Sequence, residues 1–144
     1  MKTASWVLLA MVGVLILLGA LGSAWIAYSG ARDELGAGGA TVEEVRAWRG
    51  DAATAIQARR GTAAAFAGAY VVLFLSIVLG PYRRGEVWSW WALLAGAITL
   101  AILTLPRINT LGTWRGVGTP LTHLGVVVVA LLLDVRRLRA PAAR

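Results

Sequence analysis

The densest group of chemically capable side chains lies between residues 82 and 91, in the order Tyr82-Arg-Arg-Gly-Glu-Val-Trp-Ser-Trp-Trp91. Guanidinium groups donate paired hydrogen bonds to phosphate and carboxylate groups, so this stretch could hold a phospholipid headgroup or another anionic ligand. The candidate residues are Arg83, Arg84, Glu86, Trp88, Trp90 and Trp91. An ordinary girdle at the membrane interface, with Glu86 paired to a neighbouring arginine, is the simpler interpretation of the same residues.

His123 is the only histidine of the chain and forms the second candidate site. An imidazole in an apolar segment could accept a proton, or could ligate a haem or a metal ion. One histidine makes a poor metal site without partners, and no carboxylate lies close to it in sequence. If Thr119 caps the helix, His123 lies in its first turns near the headgroups, where water or Thr119 can satisfy it. The sequence therefore favours a structural role, and it predicts no metal and no cofactor.

The composition indicates that a membrane surrounds these residues. Of the 144 residues 58% are hydrophobic and 15% charged, whereas soluble domains are about 25% charged. A globule of this size has too much surface to bury so many apolar side chains. The chain has no cysteine, which excludes disulfides, thiolate metal sites and cysteine nucleophiles. The net charge is +7, and the basic residues lie in short flanks beside the apolar segments. This placement indicates a lipid bilayer and not nucleic acid as the partner.

Four apolar segments are predicted to cross the bilayer as helices. A hydrocarbon core of about 30 Å takes roughly 20 helical residues. The segments cover residues 6–28, 63–79, 88–105 and 117–133, and none of them contains Lys, Arg, Asp or Glu. Most of the tryptophans lie near the segment ends, where an indole ring prefers to sit. The sequence thus predicts an all-α integral membrane four-helix bundle, formed by residues 1–144 as a single transmembrane domain.

Proline, glycine and threonine residues predict where these helices end. Residues 80–87 are expected to form a tight turn between the second and third spans, and Pro106 is expected to end the third. In the fourth span, which has the shortest uninterrupted apolar run, Thr119 is predicted as the N-cap and Pro120 as a first-turn residue. That helix is expected to continue through Arg139.

The segment from Ser29 to Thr62 is the long hydrophilic stretch of the chain. It opens with a glycine-rich turn at residues 35–40, followed by Thr41-Val-Glu-Glu44, which is the pattern of a capping box. Apolar residues at helical spacing then predict an amphipathic loop helix over about 42–60, lying on the membrane or on the bundle. This helix can run nearly straight into the second span, with Gly61 as the expected break.

The first apolar segment could instead be a secretory signal, with Gly22-Ser23-Ala24 as the cleavage triplet. The apolar run, however, extends almost unbroken to Tyr28, which is longer than the roughly 7–15 residues of a signal's apolar region. Trp6 and Trp25 also bracket it as interface anchors do. A retained first span is therefore the favoured interpretation.

The distribution of basic residues predicts that both termini lie in the cytoplasm and that the protein is a multi-pass protein of the cell (inner) membrane. Four spans put both termini and the 80–87 turn on one side. Each side carries seven basic residues, but on the terminal side they lie within shorter segments and closer to the span ends. The terminal side has Lys2, Arg83, Arg84, Arg136, Arg137, Arg139 and Arg144, and the other side has Arg32, Arg46, Arg49, Arg59, Arg60, Arg107 and Arg115.

The turn after the second span resembles one seen in small, mostly uncharacterised bacterial four-span membrane proteins, of the form Tyr-Arg-x-Gly-Glu-x-Trp-x-Trp. It stands here at residues 82–90, and the resemblance covers only this turn. It implies a four-span fold and no particular activity. Better-known four-span families fit badly, because the first span lacks the acid of small multidrug transporters and the chain lacks the cysteine pair of quinone-reducing enzymes.

Two classes of function remain open. The first is a non-enzymatic accessory subunit, or a binder of lipid or another apolar ligand, with a partner membrane protein or a second copy of the chain as further partners. The alternative is a membrane enzyme or small transporter for an apolar substrate, which would use His123 or Glu86 to handle protons. The first is favoured because the sequence shows no nucleophile–base pair, metal-ligand cluster or phosphate-binding loop.

Overall fold

The computed structural model describes residues 2–29, 41–114 and 116–139, and it is all-α, as predicted. The elements are α1 (Lys2–Ser29), α2 (Val42–Trp48), α3 (Gly50–Ile77), a π-helix (Val78–Tyr82), α4 (Val87–Thr104), α5 (Pro106–Leu111), α6 (Gly118–Leu133) and a 3-10 helix (Val135–Arg139). The glycine-rich turn predicted at 35–40 lies outside the described residues. So do Arg32, Arg115 and Arg144, which entered the count of basic residues.

Three helical stretches among the described residues are long and apolar enough to cross a membrane. They are Ala4–Ser29, Gly50–Tyr82 and Val87–Leu111, and α6 is a shorter apolar helix. Large apolar side chains stand on their surfaces; Leu15, for example, is 65% exposed and Leu103 72% exposed. A soluble monomer rarely carries so much contiguous apolar surface. The helices therefore indicate a multi-pass membrane protein.

The chain packs into two compact units. One consists of Met1–Val14 and Leu73–Arg144, and the other of Leu15–Val72. In the first unit α6 packs along α4, and Leu9, Leu93 and Val127 are among its buried core residues.

The second unit holds the C-terminal half of α1 and most of α3. The Arg60 Nε atom donates to Ser23 Oγ at 3.3 Å. The space in which Gly61 would carry a side chain is filled by the Tyr28 hydroxyl group. A larger residue at position 61 would therefore displace the Tyr28 ring.

The predicted loop helix over 42–60 is not one helix. The capping box at its start is confirmed, since Thr41 N donates to Glu44 Oε2 at 2.8 Å and Glu44 N donates to Thr41 Oγ1 at 3.2 Å. The chain then breaks at Arg49, whose backbone is extended (φ −147°, ψ 90°), and α3 starts at Gly50. The carbonyl of Arg49 accepts the Ala53 N–H at 3.1 Å, which begins the second ladder of helical bonds.

The break predicted at Gly61 is also wrong, because α3 runs through this residue to Ile77. Gly61 is needed there for the close approach of Tyr28, and a glycine inside a long helix with a packed neighbour does not have to end it. The polar residues after Arg49 and the second apolar segment therefore form one continuous element.

The turn predicted at 80–87 is much shorter in the structure. Helical backbone continues as a π-helix through Pro81, which has no N–H to donate to the preceding turn. The reversal is made by Gly85, whose φ of 97° lies in the left-handed region. The N–H groups of Gly85 and Glu86 both donate to Pro81 O, at 3.1 and 3.0 Å. These two bonds give a carbonyl group at the end of the helix its hydrogen-bond donors, and the chain then leads directly into α4.

The fourth span, predicted at 117–133, forms α6 at Gly118–Leu133, but its predicted cap and its predicted continuation through Arg139 need correction. Its first helical bond runs from Leu121 N to Val117 O at 3.2 Å, so Val117 is the cap and Thr119 is not. Pro120 lies in the first turn, as expected, where no N–H partner is required. The α-helix ends at Leu133, and only a 3-10 helix continues to Arg139. Pro106 was predicted to end the third span, and α4 does end before it, at Thr104; Pro106 then starts the short helix α5.

Candidate functional site at the 82–91 turn

A buried group of three hydrogen-bonding residues underlies the turn. The Ser5 Oγ atom lies 2.5 Å from the Tyr82 hydroxyl and donates to Ala130 O at 2.7 Å. All three residues are 0% exposed. A serine hydroxyl has a single hydrogen and a carbonyl can only accept, so Tyr82 donates to Ser5 and Ser5 donates to Ala130. We call this trio the clasp; it joins α1, the π-helix and α6.

The clasp explains why α6 ends where it does. The last carbonyl groups of a helix have no partner within the helix. Asp134 N bonds to Leu131 O at 3.1 Å and not to Ala130 O, and this leaves the latter to Ser5. Leu131 O also accepts the indole N–H of Trp90 at 3.1 Å. The C-terminus of α6 is thus capped by side chains from α1 and α4.

The three tryptophans of the stretch divide into two classes. Trp90 is 8% exposed, whereas Trp88 and Trp91 are 54% and 55% exposed. Residues 88 and 91 share one face of α4 because they are three positions apart, and residue 90 points elsewhere. The Trp90 and Trp91 rings meet edge to face with centroids 4.7 Å apart. The interfacial-girdle interpretation therefore suits Trp88 and Trp91, but Trp90 is a core residue.

Arg84, Glu86 and Trp88 form a second group, the turn cluster. Arg84 Nε lies 3.0 Å from Glu86 Oε1, and Trp88 Nε1 donates to Glu86 Oε2 at 2.6 Å. The Trp88 indole and then the Arg84 guanidinium hold the pKa of Glu86 below its usual value, so the group is a carboxylate at neutral pH. The predicted pairing of Glu86 with a neighbouring arginine is confirmed. Since the Arg84 side chain is exposed and that of Glu86 is partly exposed, the pair stabilises the fold only weakly.

Arg83 is in a different environment from Arg84. Its guanidinium carbon lies 4.9 Å from the centroid of the Trp6 ring, the geometry of a cation–π contact. Among the residues that the structure describes, no carboxylate lies within ion-pair distance of it. Trp6 belongs to α1, so the contact joins the turn to the N-terminal helix. Sequence analysis treated the two arginines as equivalent, and the structure separates them.

His123 does not lie near water in the first turn of its helix. It is 1% exposed, and its ring meets Phe74 edge to face with centroids 5.1 Å apart. The expectation that water or Thr119 satisfies it rested on Thr119 as the helix cap, which the structure does not support. His123 is a packed residue between α6 and α3, separate from the turn cluster. No group of three His, Cys, Asp or Glu side chains able to hold a metal ion occurs in the described parts of the chain.

Sequence reasoning missed three buried polar residues of this end. Ser5 looked like an unremarkable flank of the first span, and Tyr82 only like the start of a motif. Asp134, which is 3% exposed, directly follows the apolar run of α6. Tyr82 had no usable signal in the sequence, because the π-helix around Pro81, a feature frequent at functional sites, is visible only in the structure. Ser5 had none, since its partners lie 77 and 125 residues away.

Comparison with family models, with curated proteins and with solved structures found no match to this chain.

Proposed function

We propose that this chain is a four-span protein of the cell (inner) membrane that acts without catalysis, as an accessory subunit that binds anionic lipid at its turn. The observation that carries the proposal is the arrangement of the two arginines above a buried clasp. The resemblance of residues 82–90 to the turn of bacterial four-span proteins agrees with it.

The meeting of four helix ends supports four spans. Ser5 near the start of α1 contacts both Tyr82, where the second apolar stretch ends, and Ala130, near the end of α6. Trp90 near the start of α4 contacts Leu131 of α6. Alternating helix directions and four crossings bring these four ends to one membrane face. We call this end of the first unit the turn end.

The lengths of the helices are compatible with four crossings. The stretch Gly50–Tyr82 has 33 residues and rises roughly 50 Å, which leaves its polar N-terminal part outside a hydrocarbon core of about 30 Å. α6 rises only about 24 Å, and the following 3-10 helix adds about 10 Å. The fourth crossing thus needs its 3-10 extension, with exposed Arg136 at the headgroup level.

The chemistry of the turn end supports binding over catalysis. The hydroxyl hydrogen of Ser5 is donated to a backbone carbonyl, and the Trp90 N–H caps another. The Ser89 hydroxyl donates to Glu86 O, also at 2.5 Å. These polar groups hold helix ends together, and a hydroxyl engaged in this way is not activated as a nucleophile. The exposed arginines and tryptophans above them are the groups suited to contact lipid.

Reporter fusions test the four-span topology. Fusions at the N-terminus and after Arg139 should both report a cytoplasmic location, and a fusion inserted at the 30–40 segment should report a periplasmic one. The expected result follows from the shared membrane face of the four helix ends and from the arginines near them. A periplasmic signal from the C-terminal fusion alone would contradict four spans. Periplasmic signals from both terminal fusions would instead reverse the proposed orientation.

The double substitution Arg83→Lys with Arg84→Lys tests lipid binding. It keeps both positive charges, and hence the orientation, but removes the forked donors that grip a phosphate. We expect normal membrane insertion and a loss of about tenfold in retained anionic lipid, counted by native mass spectrometry of the gently extracted protein. An interfacial girdle needs only cations, so equal retention in the two proteins would contradict the lipid-binding function.

A further inference from the structure

The two arginines of the turn differ in whether their guanidinium N–H groups already have a hydrogen-bonding partner. Arg84 Nε is engaged by the carboxylate of Glu86 at 3.0 Å, and the same carboxylate accepts the Trp88 indole N–H. The Arg83 guanidinium instead lies over the Trp6 ring, with its central carbon 4.9 Å from the ring centroid, and among the described residues no carboxylate engages it. A cation–π contact is electrostatic and leaves the guanidinium N–H groups able to donate hydrogen bonds to another group. Arg83 therefore presents the fork that a phosphate group requires.

The stacked pair is held in place by the clasp beneath it. Ser5 precedes Trp6 in the chain and Tyr82 precedes Arg83, and the Ser5–Tyr82 hydrogen bond is fully buried. This bond joins the side chains of residues 5 and 82 and so restrains how far the neighbouring residues 6 and 83 can move apart. Ser5 is anchored further by its bond to Ala130 O. The position of the exposed Arg83 is thus restrained before a ligand binds, which reduces the conformational entropy lost on binding.

We infer that Arg83, stacked on Trp6, binds the phosphate of one anionic phospholipid, with Tyr82 and Ser5 as positioning residues and Arg84 outside the site. This inference rests on the lipid-binding function proposed above. The phosphodiester supplies the paired acceptor oxygens for the guanidinium edge. Trp6 lies at the headgroup level, where an indole contacts both the polar and the apolar part of a lipid. The ligand is thus a phospholipid of the leaflet at the turn end.

The single substitutions Arg83→Lys and Arg84→Lys separate the two arginines. Each protein is placed in phosphatidylcholine nanodiscs with increasing phosphatidylglycerol, and native mass spectrometry counts the phosphatidylglycerol molecules that stay bound. We expect Arg83→Lys to weaken retention about tenfold and Arg84→Lys to change it less than about twofold. Equal losses in the two variants would overturn the inference.

Free phosphate is the other source of the same chemistry. Inorganic phosphate added to the native protein in the same nanodiscs should leave the bound phosphatidylglycerol unchanged, because the lipid is also held by its acyl chains. Displacement of the lipid by millimolar inorganic phosphate would overturn the assignment to a membrane lipid. The outcomes for the two proposals are distinguishable. If the double lysine variant loses lipid and the two single variants lose equal amounts, the result supports the lipid-binding function but contradicts the assignment of the site to Arg83.

The role of the clasp in positioning has its own test. Tyr82→Phe removes the hydroxyl but keeps the packed ring, and it should weaken phosphatidylglycerol retention about threefold if the clasp preorganises the stacked pair. Val127→Ala is the matched control, since Val127 is a fully buried residue of the same unit outside the clasp. It should lower thermal stability without changing lipid retention. Equal lipid loss in both variants would show a general effect of instability and overturn the positioning role.

Discussion

Replacement of Trp90 with alanine is expected to lower the free energy of unfolding by about 2–3 kcal/mol. The substitution leaves a cavity at a ring that is 8% exposed and removes the N–H that caps Leu131 O. In water such a change costs about 3–5 kcal/mol, but part of that cost is the transfer of apolar surface, which largely disappears when the unfolded helices stay in lipid. Unfolding in mixed micelles titrated with SDS, followed by circular dichroism, measures the difference.

Trp91 provides the matched control for this experiment. It is the neighbouring tryptophan of the same helix and is 55% exposed, so Trp91→Ala should lose little besides its edge-to-face contact with Trp90 and should change stability by no more than about 1 kcal/mol. Trp90→Phe keeps a packed aromatic ring but removes the N–H group, so that Leu131 O retains only the Asp134 N–H as donor, and it should cost about 1 kcal/mol. Equal losses for Trp90→Ala and Trp91→Ala would contradict a packed, capping role for Trp90.

The helices themselves could be predicted because their signals are local. The third apolar segment was predicted at 88–105 and forms α4 at Val87–Thr104. The capping box at Thr41 was predicted from four residues and is formed by hydrogen bonds between the first and the last of them. Long apolar runs, helix caps and glycines with left-handed backbone depend on neighbours within a few positions. A single sequence carries that information directly.

Helix ends near proline were predicted less well, because the outcome depends on more than one competing rule. Pro81 was taken to mark a turn, yet the helix absorbs it as a π-helix and reverses only at Gly85. Pro120 was correctly predicted to lie in the first turn of its helix, but Thr119 was wrongly predicted as the cap. A missing N–H restricts where a chain can bond, and tertiary contacts then decide which of the remaining conformations is used.

The clasp and the division of the arginines could not be predicted, because both depend on contacts far along the chain. Ser5 acquires its role from Tyr82 and from a backbone carbonyl of α6, and no local pattern marks either partner. Arg83 and Arg84 are adjacent and chemically identical, and they differ because Arg83 packs against Trp6 of the distant helix α1 whereas Arg84 pairs with the nearby Glu86. Such differences arise from packing, which a pattern of residue types does not encode.

Removal of the Ser5 hydroxyl by substitution with alanine is expected to cost about 2 kcal/mol, and Tyr82→Phe about 1 kcal/mol. Ser5 lies at the centre of the clasp, so its loss breaks two hydrogen bonds, whereas loss of the Tyr82 hydroxyl leaves the bond from Ser5 to Ala130 O intact. In the double variant Tyr82→Phe should cost about 1 kcal/mol less than it does alone. The same SDS titration gives all three values and hence the coupling energy.

Ser23 is the control serine of the same helix. Its Oγ atom accepts a longer and only partly buried bond from Arg60, at 3.3 Å, so Ser23→Ala should cost about 0.5 kcal/mol or less. A loss for Ser5→Ala no larger than that for Ser23→Ala, or independent effects at Ser5 and Tyr82, would contradict the clasp. A measured coupling would also bear on the signal-peptide alternative, because a helix removed by cleavage after residues 22–24 could not contribute to the stability of the folded protein.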